Sequence, residues 1–157
     1  MSVLIKSVVL LLAALCLASG AKAADVANCE NPKGHVFYPQ KGLVKKDAGW
    51  KTDGIANAKF TLTTNDQNAF DLLFIDATQK VTSTTAAGGQ IVLMRANPDD
   101  MAFVVAYSDA IEIYNFWKTA DNKFQFSMLQ NRGSGAVIPK SSVMVGQCDP
   151  IRFDLVK

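Results

Sequence analysis

The sequence predicts an all-β protein: a single antiparallel meander of about eight or nine strands forming a barrel or sandwich. Three observations carry that expectation. From Lys59 onward, short runs rich in β-branched and aromatic residues follow one another. Turn-forming residues separate them, and no run shows a helical period. The connections are too short to hold crossover helices, so consecutive strands should pair antiparallel.

Read in order, the chain begins with a targeting signature. Lys6 supplies a positive charge, Val8 to Ala18 form an apolar run, and Ala21-Lys22-Ala23 gives the small-x-small pattern of a signal-peptidase site. Residues 1–23 are therefore expected to be a cleaved signal peptide, too short in its apolar part to span a bilayer. Leu15 stands before Cys16 where lipoprotein processing requires a small residue. The expected product is periplasmic or secreted, with no stable membrane anchor. Residues 24–58 are broken by Pro32, Gly34, Pro39, Gly42, Gly49 and Gly54 and read as an irregular lead-in packed on the domain. One short strand is expected within it, at His35–Tyr38.

Residues 59–157 read as the antiparallel β-domain. Its expected strands are Lys59–Thr64, Phe70–Asp76, Val81–Thr85, Gln90–Ala96, Met101–Ser108, Ile111–Lys118, Lys123–Gln130, Ser142–Gln147 and Ile151–Val156. The breaks include Asn97-Pro98-Asp99-Asp100, Asp109-Ala110, Asp121-Asn122, Gly133-Ser134-Gly135 and Asp149-Pro150. Neither a linker-like tract nor an internal repeat interrupts the chain, which fits one domain.

A two-residue loop at Asp109-Ala110 would set Val105 opposite Tyr114 and Phe103 opposite Phe116. Extending this register gives two faces. One collects Ile91, Leu93, Ala102, Val104, Ala106, Ile113, Trp117, Phe124, Phe126 and Met128; being apolar on all four strands, it is the expected core. The other carries Val92, Met94, Phe103, Val105, Tyr107, Tyr114 and Phe116, an apolar stripe where a solvent face should be polar. With Glu112 at its edge, the face bearing Phe103, Val105, Tyr107, Tyr114 and Phe116 is the candidate interaction surface. The alternatives are that the lead-in covers it or that it lines a barrel lumen.

Without Lys6 and Lys22, the sixteen basic residues become fourteen, against fourteen acidic ones. That neutral balance and the lack of basic clusters give no reason to expect a nucleic-acid partner. Cleavage also removes Cys16, leaving Cys29 and Cys148, which in an oxidising compartment read as a disulfide. His35 is the one histidine, and no nucleophile elbow, HExxH, P-loop or CxxC is present. No catalytic residue, cofactor or metal is expected.

The segment Arg132-Gly133-Ser134-Gly135-Ala136 is similar to the Ser-Gly-containing loop of small periplasmic lysozyme inhibitors, which are disulfide-linked β-barrels. The likeness spans Ser134-Gly135-Ala136 and the glycines around it, and no tyrosine follows. It implies a candidate inhibitory loop at Gly133, Ser134, Gly135 and Ala136. The expected role is thus an exported, non-catalytic binding protein acting on a protein partner or on itself. The alternatives are a lipocalin-like carrier of a small apolar ligand and a lysozyme-type hydrolase inhibitor.

Overall fold

The computed structural model describes residues 23–76, 78–133 and 135–156. The signal-peptide expectation therefore falls outside the described residues, apart from Ala23, and so does Ser134 of the candidate loop. The strands are β1 (Ala24–Tyr38), β2 (Gly49–Gly54), β3 (Lys59–Thr64), β4 (Phe70–Ile75), β5 (Val81–Ser83), β6 (Gln90–Ala96), β7 (Asp100–Ala106), β8 (Ala110–Lys118), β9 (Phe124–Arg132) and β10 (Lys140–Cys148). All belong to one antiparallel sheet ordered β5-β4-β3-β1-β10-β9-β8-β7-β6, with β2 paired to β1 off that path. The sheet curls into a half-barrel. Phe70 on β4 and Phe103 on β7 stand second and eighth in strand order, yet their ring centroids lie 5.0 Å apart across the interior.

The stretch expected to be an irregular lead-in holds the central strand. β1 pairs with β3 through its first half, β2 through its second half, and β10 along its other edge. Its proline fits the sheet for a specific reason. Pro32 lies in a bulge between Glu30 and Lys33, where β1 changes partner and no ladder N–H is required. Asn31, with φ 52°, turns the chain there; its side chain accepts from the Asn57 N–H at 3.0 Å. The Cys29–Cys148 disulfide is present, and it staples β1 to β10 at directly paired positions. It therefore joins two neighbouring strands of the sheet.

On β7 and β8 the two faces are the reverse of those expected, while Ile91, Leu93, Phe124, Phe126 and Met128 face the interior as expected. Phe103, Val105, Tyr114 and Phe116 are buried, whereas Ile113 is 37% exposed and Val104 and Trp117 are half-buried. Two one-residue shifts explain the reversal. A bulge between Leu93 and Arg95 turns Ile91 and Leu93 toward Val105 and Phe103. The β8–β9 connection is a three-residue loop closed by Thr119 N–H to Lys123 O at 2.8 Å, with Asn122 at φ 60°. That odd loop sets Phe116 opposite Phe126 and Tyr114 opposite Met128. Between β7 and β8 the loop is Ser108-Asp109 rather than Asp109-Ala110, closed by Tyr107 N–H to Ala110 O at 2.8 Å. This two-residue slip changes partners without changing faces.

The interior is built in rows across β8, β9 and β10. One row is Phe116, Phe126 and Gly146; the next is Tyr114, Met128 and Met144; the next is Glu112, Gln130 and Ser142. Phe126 packs against Phe60 at 5.2 Å and stacks on Phe116 at 6.0 Å. A Cβ at Gly146 would collide with the Phe126 ring, so glycine is what lets that ring lie down on β10. The expected last strand, Ile151–Val156, is instead a short 3₁₀ turn, Phe153–Leu155. Ile151 and Val156 are buried on either side of it, and Arg152 N–H donates to the Val26 carbonyl at 2.8 Å. These residues plug the apolar end of the half-barrel.

The convex face carries an aliphatic band. Val92, Val104, Ile113, Leu129 and Val143 are paired in succession across β6 to β10, forming one row over five strands. Val92 is 52% exposed and Val143 42%.

Candidate functional site: a cavity at the polar end of the half-barrel

The interior changes character along each strand. Inward positions of β9 run Phe124, Phe126, Met128, Gln130, Arg132; those of β10 run Cys148, Gly146, Met144, Ser142, Lys140. Alternation thus carries an apolar core into a polar row and then into two cations. At that end the sheet encloses a cavity of about 420 Å³, a size common for small-molecule sites. Phe60, Leu72, Phe74, Ile55 and Met128 give it apolar walls. Glu112, Tyr114 and Gln130 form its polar wall, and Asp109, Ala110, Arg132 and Lys140 lie where β8, β9 and β10 end or begin.

Glu112 is buried at 7% exposure, and both its carboxyl oxygens are engaged. Oε2 accepts from the Tyr114 hydroxyl at 2.7 Å, and Oε1 accepts from Gln130 Nε2. Such partners are what make burial of a carboxyl group tolerable, because an unsatisfied one costs its full desolvation. The sheet register supplies them: Gln130 is the direct cross-strand partner of Glu112, and Tyr114 is its same-face neighbour on β8. Burial, and then the adjacent Glu112, push the Tyr114 phenol well above the usual tyrosine range, so it stays a hydrogen-bond donor. Ser142, across from Gln130, is buried with no hydrogen-bond partner for its Oγ.

Tyr107 forms a further part of the wall. Its hydroxyl donates to Thr84 Oγ1 at 3.3 Å, tying the β5–β6 connection to the end of β7. Burial raises its phenol pKa. A Cβ on Gly89 would stand 2.6 Å from the Tyr107 ring, so only glycine lets that connection lie against it.

At the mouth, Arg132 and Lys140 are direct cross-strand partners. Lys140 is half-buried, and desolvation first, then the Arg132 guanidinium, lower its ammonium pKa. The ion pairs among the described residues, Lys51–Asp47, Arg95–Asp100, Lys123–Asp121 and Arg152–Asp154, involve neither cation.

The candidate surface is thus brought together, but as an inner wall. Phe103, Val105 and Phe116 pack in the core, while Tyr107, Glu112 and Tyr114 face the cavity. The candidate loop connects β9 to β10 beside the mouth. Gly133 N–H donates to the Asp109 carbonyl at 2.7 Å, tying the loop to the β7–β8 turn; Ala136 N–H donates to Gly133 O at 3.1 Å, and Gly135 is exposed. His35 is exposed on the convex side of β1, paired with Val143.

Sequence reasoning missed Gln130, Arg132 and Lys140 as site residues. The signal was present in the alternation of β9 and β10, where every second residue grows more polar toward one end, but reading it required the correct β8–β9 loop length. Among the described residues no group of three or more His, Cys, Asp or Glu comes together as a metal site, and no helix is long and apolar enough to cross a membrane. Comparison with family models, curated proteins and solved structures finds no match to this chain.

Proposed function

We propose that this is an exported, non-catalytic binding protein that holds a small, largely apolar ligand in the cavity at the polar end of the half-barrel. The observation that carries the reading is the composition of that cavity. Aromatic and aliphatic walls converge on a few fixed polar groups, which is the usual build of a small-molecule site. Apolar walls supply affinity through burial, and the Glu112–Tyr114–Gln130 set supplies fixed polar contacts. Both Glu112 oxygens already hold hydrogen bonds, which supports orientation of a ligand rather than its turnover. The disulfide fits an exported protein, since such bonds persist in oxidising compartments.

The test is a titration with N-phenyl-1-naphthylamine, a neutral dye whose emission rises in apolar surroundings. The dye should bind the oxidised protein, and Ala110→Trp, which fills the cavity from the inward face of β8, should abolish the rise with circular dichroism unchanged. Binding that survives Ala110→Trp would contradict the proposal.

A second reading is favoured by the convex band of Val92, Val104, Ile113, Leu129 and Val143, because apolar surface of this extent on a sheet face commonly marks association with another protein. Dye emission lost in Ile113→Lys but kept in Ala110→Trp would point to that face instead.

A further inference from the structure

We propose that the ligand of this cavity is an amphiphile with an anionic head group, held at the mouth between Arg132 and Lys140 while its apolar body lies against Phe60, Leu72, Phe74 and Met128. This rests on the reading of the cavity as a small-molecule site and adds the chemistry of its occupant.

The argument begins with the register. Arg132 and Lys140 are directly opposite each other on β9 and β10, with both side chains on the cavity side. Like charges in that relation repel, and a fold gains nothing structural from them unless a counter-charge lies between. No carboxylate of the described residues forms an ion pair with either.

Three acidic groups stand nearby. Glu112 lies one inward position deeper than Arg132's partner Ala110, and both of its oxygens are occupied by Tyr114 and Gln130. Asp109 is exposed in the β7–β8 turn, where water screens it. Asp53 on β2 and then Glu112 act on Lys140, each as a weaker influence than burial and Arg132.

What is left is a half-buried ammonium beside a guanidinium at the rim of an apolar chamber. A planar guanidinium and an ammonium offer several donors to one carboxylate, sulfate or phosphate head, and charge-assisted bonds of this kind are about twice as strong as neutral ones. The apolar walls of the cavity, Phe60, Leu72, Phe74 and Met128, then take the hydrocarbon part. A cationic amphiphile would bring a positive head to two positive side chains, which selects against it.

The test is isothermal titration of the oxidised protein at neutral pH with three probes of equal chain length: decanoate, decanol and decylammonium. Decanoate should bind about tenfold or more tightly than decanol, the gain expected of a charge-assisted contact, and decylammonium should bind most weakly. In Arg132→Gln/Lys140→Gln, checked for folding by circular dichroism, the ratio of decanoate to decanol affinity should fall to about one. Equal affinity for decanoate and decanol in the wild type would overturn the anionic head while leaving the cavity as a ligand site. Tightest binding of decylammonium would assign recognition to Glu112 and overturn it as well. A decanoate preference that survives in the double variant would place the anion elsewhere. Binding of none of the three would remove the cavity reading itself, and this inference with it.

Discussion

Phe116→Ala should destabilise the protein by about 3–5 kcal/mol, the range for truncating a large buried aromatic, whereas Trp117→Ala should cost well under half of that. The two residues are neighbours on β8 and point to opposite sides of the sheet. Phe116 is 1% exposed, stacks on Phe126 at 6.0 Å and meets the edge of Phe103 at 6.3 Å. Removing it takes two aromatic contacts and leaves a void that the surrounding strands, locked by their ladders, cannot close. Trp117 lies half-exposed on the convex face, where water already meets part of the ring, so its truncation opens no internal cavity. Urea unfolding of both variants measures the difference. A larger loss from Trp117→Ala would mean that the convex face is the interior.

The second large effect belongs to the disulfide. Replacing both Cys29 and Cys148 by serine should lower stability by about 4–5 kcal/mol, because the bond closes a loop spanning 119 residues and the loop-closure entropy of the unfolded chain rises with that length. The bond also joins paired positions of β1 and β10, strands from the two ends of the chain that must find each other before the half-barrel has a middle. Those non-local pairings are the slow part of folding such a sheet. The serine variant should therefore show a lower unfolding midpoint in urea and slower refolding. An unchanged midpoint would mean that the β1–β10 ladder alone supplies the constraint.

Much of the fold was legible in the sequence. The β class, the antiparallel pairing, most strand positions and the disulfide follow from β-branched and aromatic runs, turn residues and cysteine arithmetic. Which side of the sheet faces inward was not legible, and the reason is parity. A side chain's face depends on whether each loop or bulge holds an odd or even number of residues. The bulge at Met94 and the loop at Ala120-Asp121-Asn122 each add one residue to the pairing, and together they carry Ile91, Leu93, Phe126 and Met128 to the side of Phe103 and Phe116. Nothing in the pattern Val92-Leu93-Met94 reveals which of three consecutive apolar residues is the extra one. In the structure, Asn97 and then Arg95 donate to the Asp100 carboxylate and hold it below the usual carboxylate range, which fixes the turn beside the bulge.

The aromatic stripe on β7 and β8 is anomalous for a solvent face, and the structure accounts for the anomaly. An apolar face where a solvent face is expected signals either a partner or a misplaced interior, and here it lines the half-barrel. β1 was illegible for another reason. Pro32 and Gly34 are strand breakers by propensity; the switch of partner at Glu30–Lys33 accommodates Pro32, and Gly34 stands where the Val143 carbonyl comes too close to β1 for a Cβ. The mouth of the cavity was hidden because its two cations come from strands flanking a loop, where a charge ordinarily means solvent.

The most direct test of the ligand cavity uses the methionines as reporters. Met128 lines the cavity, Met101 and Met144 are enclosed in the core, and Met94 is 64% exposed on the outer face. With methyl-¹³C methionine, titration of the oxidised protein with decanol should shift the Met128 resonance progressively to saturation and leave Met94 in place. A titration that moves Met94 and leaves Met128 unchanged would contradict the cavity as the binding site.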